Sequence, residues 1–296
     1  MYTSAQKRRT WKRAPVKRIQ SLIKENSDQK IERIIHLEKS ALLITYKKKM
    51  NLQDLTFLKK ATTYLEKNDL PFSTLLSFDH TKDGYRGIWT YCSGKTFPCW
   101  EKDHYKALGT FLGKMHKVSK DYHSGFLQKL PIILSLQENY HKIKDSLPES
   151  FSSIEPLLKT IEEKWPVFLP TGLVHTDLYP SNVLFRQNEV SGILQNHNIQ
   201  IDICLYDLAS IIKTIYFSNS KNQKENEHAF FKEYTSFCPL SEEEILALPI
   251  LTAAKLLQKS LHLVEKHLKD PTYKETYLTS AAISLIHAEK ALHLYQ

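Results

Sequence analysis

At 296 residues, with 42% hydrophobic and 25% charged residues, the chain has the composition of a globular protein with core enough for one large domain or two lobes. No apolar run approaches the ~20 residues of a membrane span and no apolar leader opens the sequence, so a cytoplasmic protein is expected. The net charge of +9 is uneven: Lys7, Arg8, Arg9, Lys12, Arg13, Lys17 and Arg18 stand together, and no acidic residue precedes Glu25. Such a segment suits contact with an anionic partner, whether nucleic acid, lipid or acidic protein. Trp11 within it could stack on a base or anchor in a lipid interface; the blander reading, preferred here, is a disordered solubilising tail over residues 1–20. Cys92, Cys99, Cys204 and Cys238 form no C-x-x-C and read as reduced thiols.

Val16–Lys24 is expected to form a short helix. Ile31–Leu37 and Ala41–Tyr46 read as strands joined across Glu38–Ser40. Leu52–Lys67 has a helical apolar period. Leu70–Phe78 and Tyr85–Cys92 read as strands around His80–Gly84, and Asp103–Lys117 as a helix with Tyr105, Leu108, Phe111, Leu112 and Met115 on one face. Ser135–Leu147 and Ser152–Glu163 follow as helices, the second ended by Trp165-Pro166. Asn219–Glu227 reads as a polar loop. Ser241 and Glu244 form a capping box for a helical region to about Leu268, which Pro249 is expected to kink or divide. Asp270 and Pro271 suit the start of a last helix.

The organising stretch is Gly172–Ala209, GLVHTDLYPSNVLFRQNEVSGILQNHNIQIDICLYDLA. Two short apolar runs, Gly172–Val174 and Val183–Phe185, flank the polar loop His175–Asn182; a turn at Gln187–Glu189 and a strand at Val190–Leu194 follow. In phosphoryl transfer an Asp takes the hydroxyl proton and an Asn supplies a neutral oxygen to magnesium. Asp177 and Asn182 match that pair, and H-x-D followed five residues later by Asn resembles a kinase catalytic loop. Pro180 and the spacer point to a small-molecule kinase rather than a protein kinase.

HTDLYPSNVLF, VSGIL and LYDLA together resemble homoserine kinase type II, within the aminoglycoside phosphotransferase and choline kinase superfamily. That family runs H-x-D-L-(F/Y)-P-x-N-V-x-F, then L-S-G-(L/V)-I-D-F, then (L/A)-Y-D-(L/V)-A. ALLITYKKK, LGKMHKVS and ALPILTAAKLL carry the likeness more thinly, from about Ala41 to Leu268. The resemblance implies an α+β, protein kinase-like two-lobed fold, with a small β-rich lobe over 21–93 and a mostly helical lobe over 94–296. It implies an ATP- and magnesium-dependent phosphotransferase acting on a hydroxyl of a small compound. Asp177 would be the base, His175 a hydrogen-bonding brace for the loop and Asn182 a magnesium ligand. Tyr91 and Cys92 would lie at the adenine-pairing hinge, Lys47 or Lys48 would reach a phosphate, and Asp207 would buttress the loop.

Two departures stand against full activity. The family's second metal ligand, an Asp, falls on Gln195, which offers a carbonyl oxygen but no charge, and magnesium favours carboxylates. Asp202, seven residues on, is no obvious substitute. The strand pair 31–37 and 41–46 would cover the phosphates, yet no glycine precedes Gly84 to let backbone amides approach them. Weakened activity is therefore expected, and the alternative is a pseudokinase that serves as a ligand- or partner-binding module.

Overall fold

The computed structural model describes residues 18–25, 29–37, 39–46, 50–82, 84–120, 122, 132–194, 196–217, 222–269 and 274–293. These fall into two compact units, one of the described residues up to Thr63 with Ser73–Tyr91, the other of Tyr64–Phe72 with the described residues from Cys92 onward. Residues 1–17 of the basic segment, Lys47, Lys48, Gln195, Asp270 and Pro271 lie outside the described residues.

The first unit is built on a five-stranded antiparallel sheet in the order β1-β2-β3-β5-β4. Its strands are β1 (Arg18–Glu25), β2 (Gln29–His36), β3 (Lys39–Tyr46), β4 (Leu75–Thr81) and β5 (Gly84–Thr90). Helix α1 (Leu52–Lys67) falls where the apolar period placed it and buries Leu55, Leu58, Ala61 and Leu65. Thr62 on α1 ties helix to sheet, because its hydroxyl donates to the Leu58 carbonyl (2.7 Å) and accepts from the Leu75 amide (3.2 Å). Ile34, Ala41 and Leu43 form a buried cluster with Ile88 against it.

The expected helix over Val16–Lys24 is instead strand β1, paired antiparallel with β2. The ladder decides this: β3 covers one edge of β2, and the other edge offers unpaired amides and carbonyls that an adjacent strand satisfies. The pair β2–β3 is therefore the second hairpin of the sheet rather than its first. The strand expected from Leu70 begins only at Leu75.

The second unit is mostly helical: α2 (Lys102–Ser119), α3 (Ile132–Ile143), α4 (Ile154–Glu163), α5 (Leu205–Phe217), α6 (Gln223–Phe237), α7 (Glu242–Lys269) and α8 (Lys274–Ala291). Helices α2 and α6 pack along each other, and α7 packs against α5 and α8. The polar loop expected over Asn219–Glu227 is shorter, because α6 starts at Gln223. Its buried residues Asn226, Ala229, Phe230 and Tyr234 form one helical stripe whose first member is polar, which hid the period. The Ser241–Glu244 capping box is present, with the Ser241 amide on Glu244 Oε2 (2.9 Å) and the Glu244 amide on Ser241 Oγ (3.2 Å). Beyond it α7 runs unbroken through Pro249, so the helix is not divided there. Among the described residues no helix is long and apolar enough to cross a membrane.

Two pairs of short strands complete the second unit. β6 (Thr171–Val174) pairs with β9 (Gln200–Ile203), and β7 (Val183–Arg186) with β8 (Glu189–Ile193). The β7–β8 turn uses Gln187 and Asn188, both at positive φ (51° and 61°), as a tight two-residue hairpin requires.

Gly84 opens β5 at φ +121°, and a Cβ there would lie 2.4 Å from the Tyr46 carbonyl oxygen. Gly84→Ala is expected to cost about 2 kcal/mol or more, since it combines a left-handed backbone with a clash against main chain. Thermal unfolding should show the loss as a melting temperature lower by several degrees.

Candidate active site

The loop His175–Asn182 leaves β6 and returns as β7, and one buried carboxylate sets its shape. Asp207, near the start of α5, accepts the His175 amide on Oδ2 (2.9 Å) and the Thr176 amide on Oδ1 (2.6 Å). Thr176 sits at φ +65°, a conformation that a β-branched residue adopts only when held. Its carbonyl is held as well, by the Ser210 hydroxyl (3.2 Å) and the Lys255 ammonium (2.6 Å). The next residue is Asp177.

Asp207 is fully buried. Burial pushes its pKa up, but the hydrogen bond and charge of His116, joined by the His175 amide, outweigh burial and hold it below the ordinary carboxylate value. His116 Nε2 lies 3.4 Å from Asp207 Oδ2, and its Nδ1 lies 3.0 Å from the Tyr234 hydroxyl. The His of the LGKMH segment on α2 thus connects α6 to the loop's anchor.

His175 is buried, and its Nε2 lies 3.0 Å from the Leu194 carbonyl. Asn182 closes the loop: its side-chain amide donates to the Asp177 carbonyl (2.9 Å), and its own carbonyl accepts from Leu194 (2.8 Å). The Asn198 amide reaches Asp177 Oδ2 at 3.3 Å, while Asp177 Oδ1 accepts no hydrogen bond among the described residues. Gly192 of the VSGIL motif passes so close to Cys92 that a Cβ would stand 2.4 Å from that residue's Cβ.

The expected hinge residues straddle the division between the units. Tyr91 ends the first, with the Arg33 guanidinium 4.5 Å above its ring. Cys92 resumes the second, half-buried, its thiol pushed up to about 11 by burial and, secondarily, by Glu66.

Asn182 Oδ1 is buried and accepts no hydrogen bond among the described residues, which leaves one neutral oxygen that magnesium could use. Asp202 is committed elsewhere: Oδ2 takes the Gln200 amide (2.8 Å) and Oδ1 the Ile203 amide (2.8 Å), and burial pushes its pKa up. Among the described residues no group of three His, Cys, Asp or Glu could hold a metal. The described residues therefore offer magnesium one neutral donor and do not by themselves make a site for it.

Asp177 opens onto a cavity of about 710 Å³ that lies wholly within the second unit. Trp100, Tyr105 and Tyr179 wall it in part; Lys213 on α5 and Lys255 and Lys259 on α7 line it with Asp177, and His262 on α7 lies beside them. The sequence reading missed all four of these. Lys255, Lys259 and His262 carried one signal, a spacing that puts basic residues on one face of α7, and Lys213 carried none.

A model described as the phosphotransferase enzyme family (APH) matches residues 39–237. The chain belongs to the phosphotransferase enzyme family. Homoserine kinase of Rhodospirillum rubrum is 28% identical over 226 residues, 71% of this chain and 68% of that protein. Homoserine kinase of Brucella ovis is 28% identical over 231 residues, 74% and 70% of the two chains. Among solved structures, amicoumacin kinase hAmiN in complex with AMP-PNP, Ca2+ and Ami matches with a TM-score of 0.75 at 14% identity, covering 91% of this chain and 88% of that one. Spectinomycin phosphotransferase in complex with ADP and spectinomycin matches with a TM-score of 0.64 at 12% identity, covering 93% of each chain. At such identities the likeness shows the α+β, kinase-like fold alone. The phosphotransferase family match, together with the 28% relatives, makes this chain a small-molecule phosphotransferase distantly like homoserine kinase.

In this phosphotransferase the loop's stability is linked to pH through Asp207. A carboxyl whose folded pKa is depressed contributes stability that is present above the ordinary value of about 4 and lost as pH falls through the folded value. Acid unfolding is therefore expected to begin below about pH 4. Asp207→Ala, which strands two buried amides and His116, should cost about 3 kcal/mol at pH 7 and flatten that acid dependence. Urea denaturation across pH 3 to 7, about four pH units, measures both effects.

Proposed function

We propose that the chain transfers the γ-phosphoryl group of ATP to a hydroxyl of a small molecule bound in the cavity beside Asp177, with activity weakened by Gln195. The observation that carries this is the Asp177 carboxylate, held by a pinned loop with Oδ1 unengaged on the cavity wall. Asn198 on Oδ2 orients the carboxylate, and Oδ1 accepts the acceptor hydroxyl's proton as its oxygen is aligned for attack. His175 and Asn182 keep the loop closed. Magnesium, when bound, supplies charge against the phosphates, and Asn182 Oδ1 would be one of its ligands. Tyr91 and Cys92 would serve the adenine through main-chain groups, and Lys47 or Lys48 a phosphate. The homoserine kinase relatives support a small hydroxyl compound as acceptor.

Kinase function rests on alignment of the γ-phosphate, and a neutral Gln195 weakens the charge that holds the metal there. Calorimetry is expected to find weak magnesium–ATP binding by the wild type. Gln195→Asp should tighten it about tenfold, equivalent to ~1.4 kcal/mol. Asp177→Asn should lower turnover by ~100-fold or more while leaving the melting temperature unchanged within a degree or so. Tight magnesium–ATP binding by the wild type would remove the case for weakened activity. Turnover undiminished in Asp177→Asn would show the base is wrong. No nucleotide binding in either the wild type or Gln195→Asp would favour a pseudokinase that keeps the cavity as a binding module.

A further inference from the structure

One amine on the cavity wall is left unused by the fold. Lys213, on α5, is half-buried there and makes no hydrogen bond or ion pair among the described residues. Lys255 is its opposite: it is buried and gives its ammonium to the Thr176 carbonyl (2.6 Å) and to Gln258 Oε1 (3.2 Å). A charged lysine has three protons to donate and is ordinarily held by acceptors or by water. For Lys213, burial opposes the charge first and Lys255 next, Asp177 favours it, and Lys259 opposes it again; the balance brings its pKa down to about 7. The other titratable groups on the lining include Tyr105 of α2, Tyr179 of the loop and His262 of α7, the last pulled below its ordinary value by partial burial. Near neutral pH a large share of Lys213 is therefore free amine, against roughly one part in a few thousand for an ordinary lysine.

A lysine kept out of water beside other cations is an activated nucleophile, and this one has room for a reactant. The cavity measures about 710 Å³, and Pro98, Trp100 and Tyr105 give it apolar surface against which a ring or alkyl chain can lie. We propose that Lys213 is a covalent binding site for carbonyl compounds, its Nζ forming an imine with an aldehyde that enters the cavity beside Asp177. The Nζ lone pair forms the C–N bond. The carbonyl oxygen takes up both amine protons and leaves as water, and hydrolysis reverses the step. The site does not depend on phosphoryl transfer, so its test stands apart from that reading.

The test is peptide mapping by mass spectrometry on the full chain at about pH 7, incubated with salicylaldehyde or glyceraldehyde and sodium cyanoborohydride. The reductant delivers hydride to the imine carbon, water supplies the proton, and the adduct is fixed as a secondary amine. Cys99, exposed on the same lining, adds to an aldehyde only as a hemithioacetal, which contains no imine and is not fixed. Lys213 is expected to be labelled at least tenfold faster than Lys259 or the exposed Lys67 and Lys164. Its rate should level off above about pH 8, while theirs keep rising towards about pH 10. In Lys213→Met the fast-forming adduct should disappear. No adduct at Lys213, labelling there no faster than at the exposed lysines, or preferential labelling of Lys259 would overturn the site. The wild-type map gives that answer whether or not the variant folds.

Discussion

A single buried carboxylate, Asp207, governs the active-site loop. Its two oxygens take the amides of consecutive residues, His175 and Thr176, and so force Thr176 into a left-handed conformation that a β-branched side chain does not choose. That turn aims Asp177 into the cavity. A buried carboxylate is costly alone, and the cost is offset by donors: two backbone amides, and His116 from α2, itself backed by Tyr234 of α6. Three helices and the loop are therefore joined through one hydrogen-bonded chain, and the position of Asp177 depends on all of them.

Lys255 completes this centre from the opposite side. Its ammonium sits on the Thr176 carbonyl, near Asp177, Asp202 and Asp207, and over the Tyr206 ring at 5.6 Å. It balances charge where the loop is anchored, whereas Lys213, half-buried on the cavity wall, makes no hydrogen bond or ion pair among the described residues. The contrast separates a lysine that the fold needs from one that the fold merely tolerates.

The relatives make the same division between scaffold and site. Homoserine kinases align over most of the chain at 28% identity, while a spectinomycin phosphotransferase and an amicoumacin kinase share the fold at 12% and 14%. Proteins named for molecules as different as these share one scaffold, so the fold by itself does not name the acceptor. In this chain α5 and α7 line part of the cavity beside Asp177, together with Trp100, Tyr105 and the loop residues Tyr179 and Pro180.

Asp177, Asn182, His175 and the buttressing Asp207 were legible in the linear order, because a loop between short strands keeps its chemistry within a few residues and its motif survives intact. Helix α1 and the Ser241–Glu244 box were legible for the same reason: periodicity and capping are local. Strand β1 was not, since its conformation is decided by the open edge of β2 rather than by its own residues. Nor was the unbroken course of α7 through Pro249, where packing against α5 and α8 outweighs one lost hydrogen bond. The cavity's lysines were least legible of all. Lys213 and Lys259 lie on different helices, and no pattern in either helix says that they face one space with Asp177. Charge acts through distance in three dimensions, so chain order could single out Asp177, but only the packing of α5 against α7 could show which charges surround it.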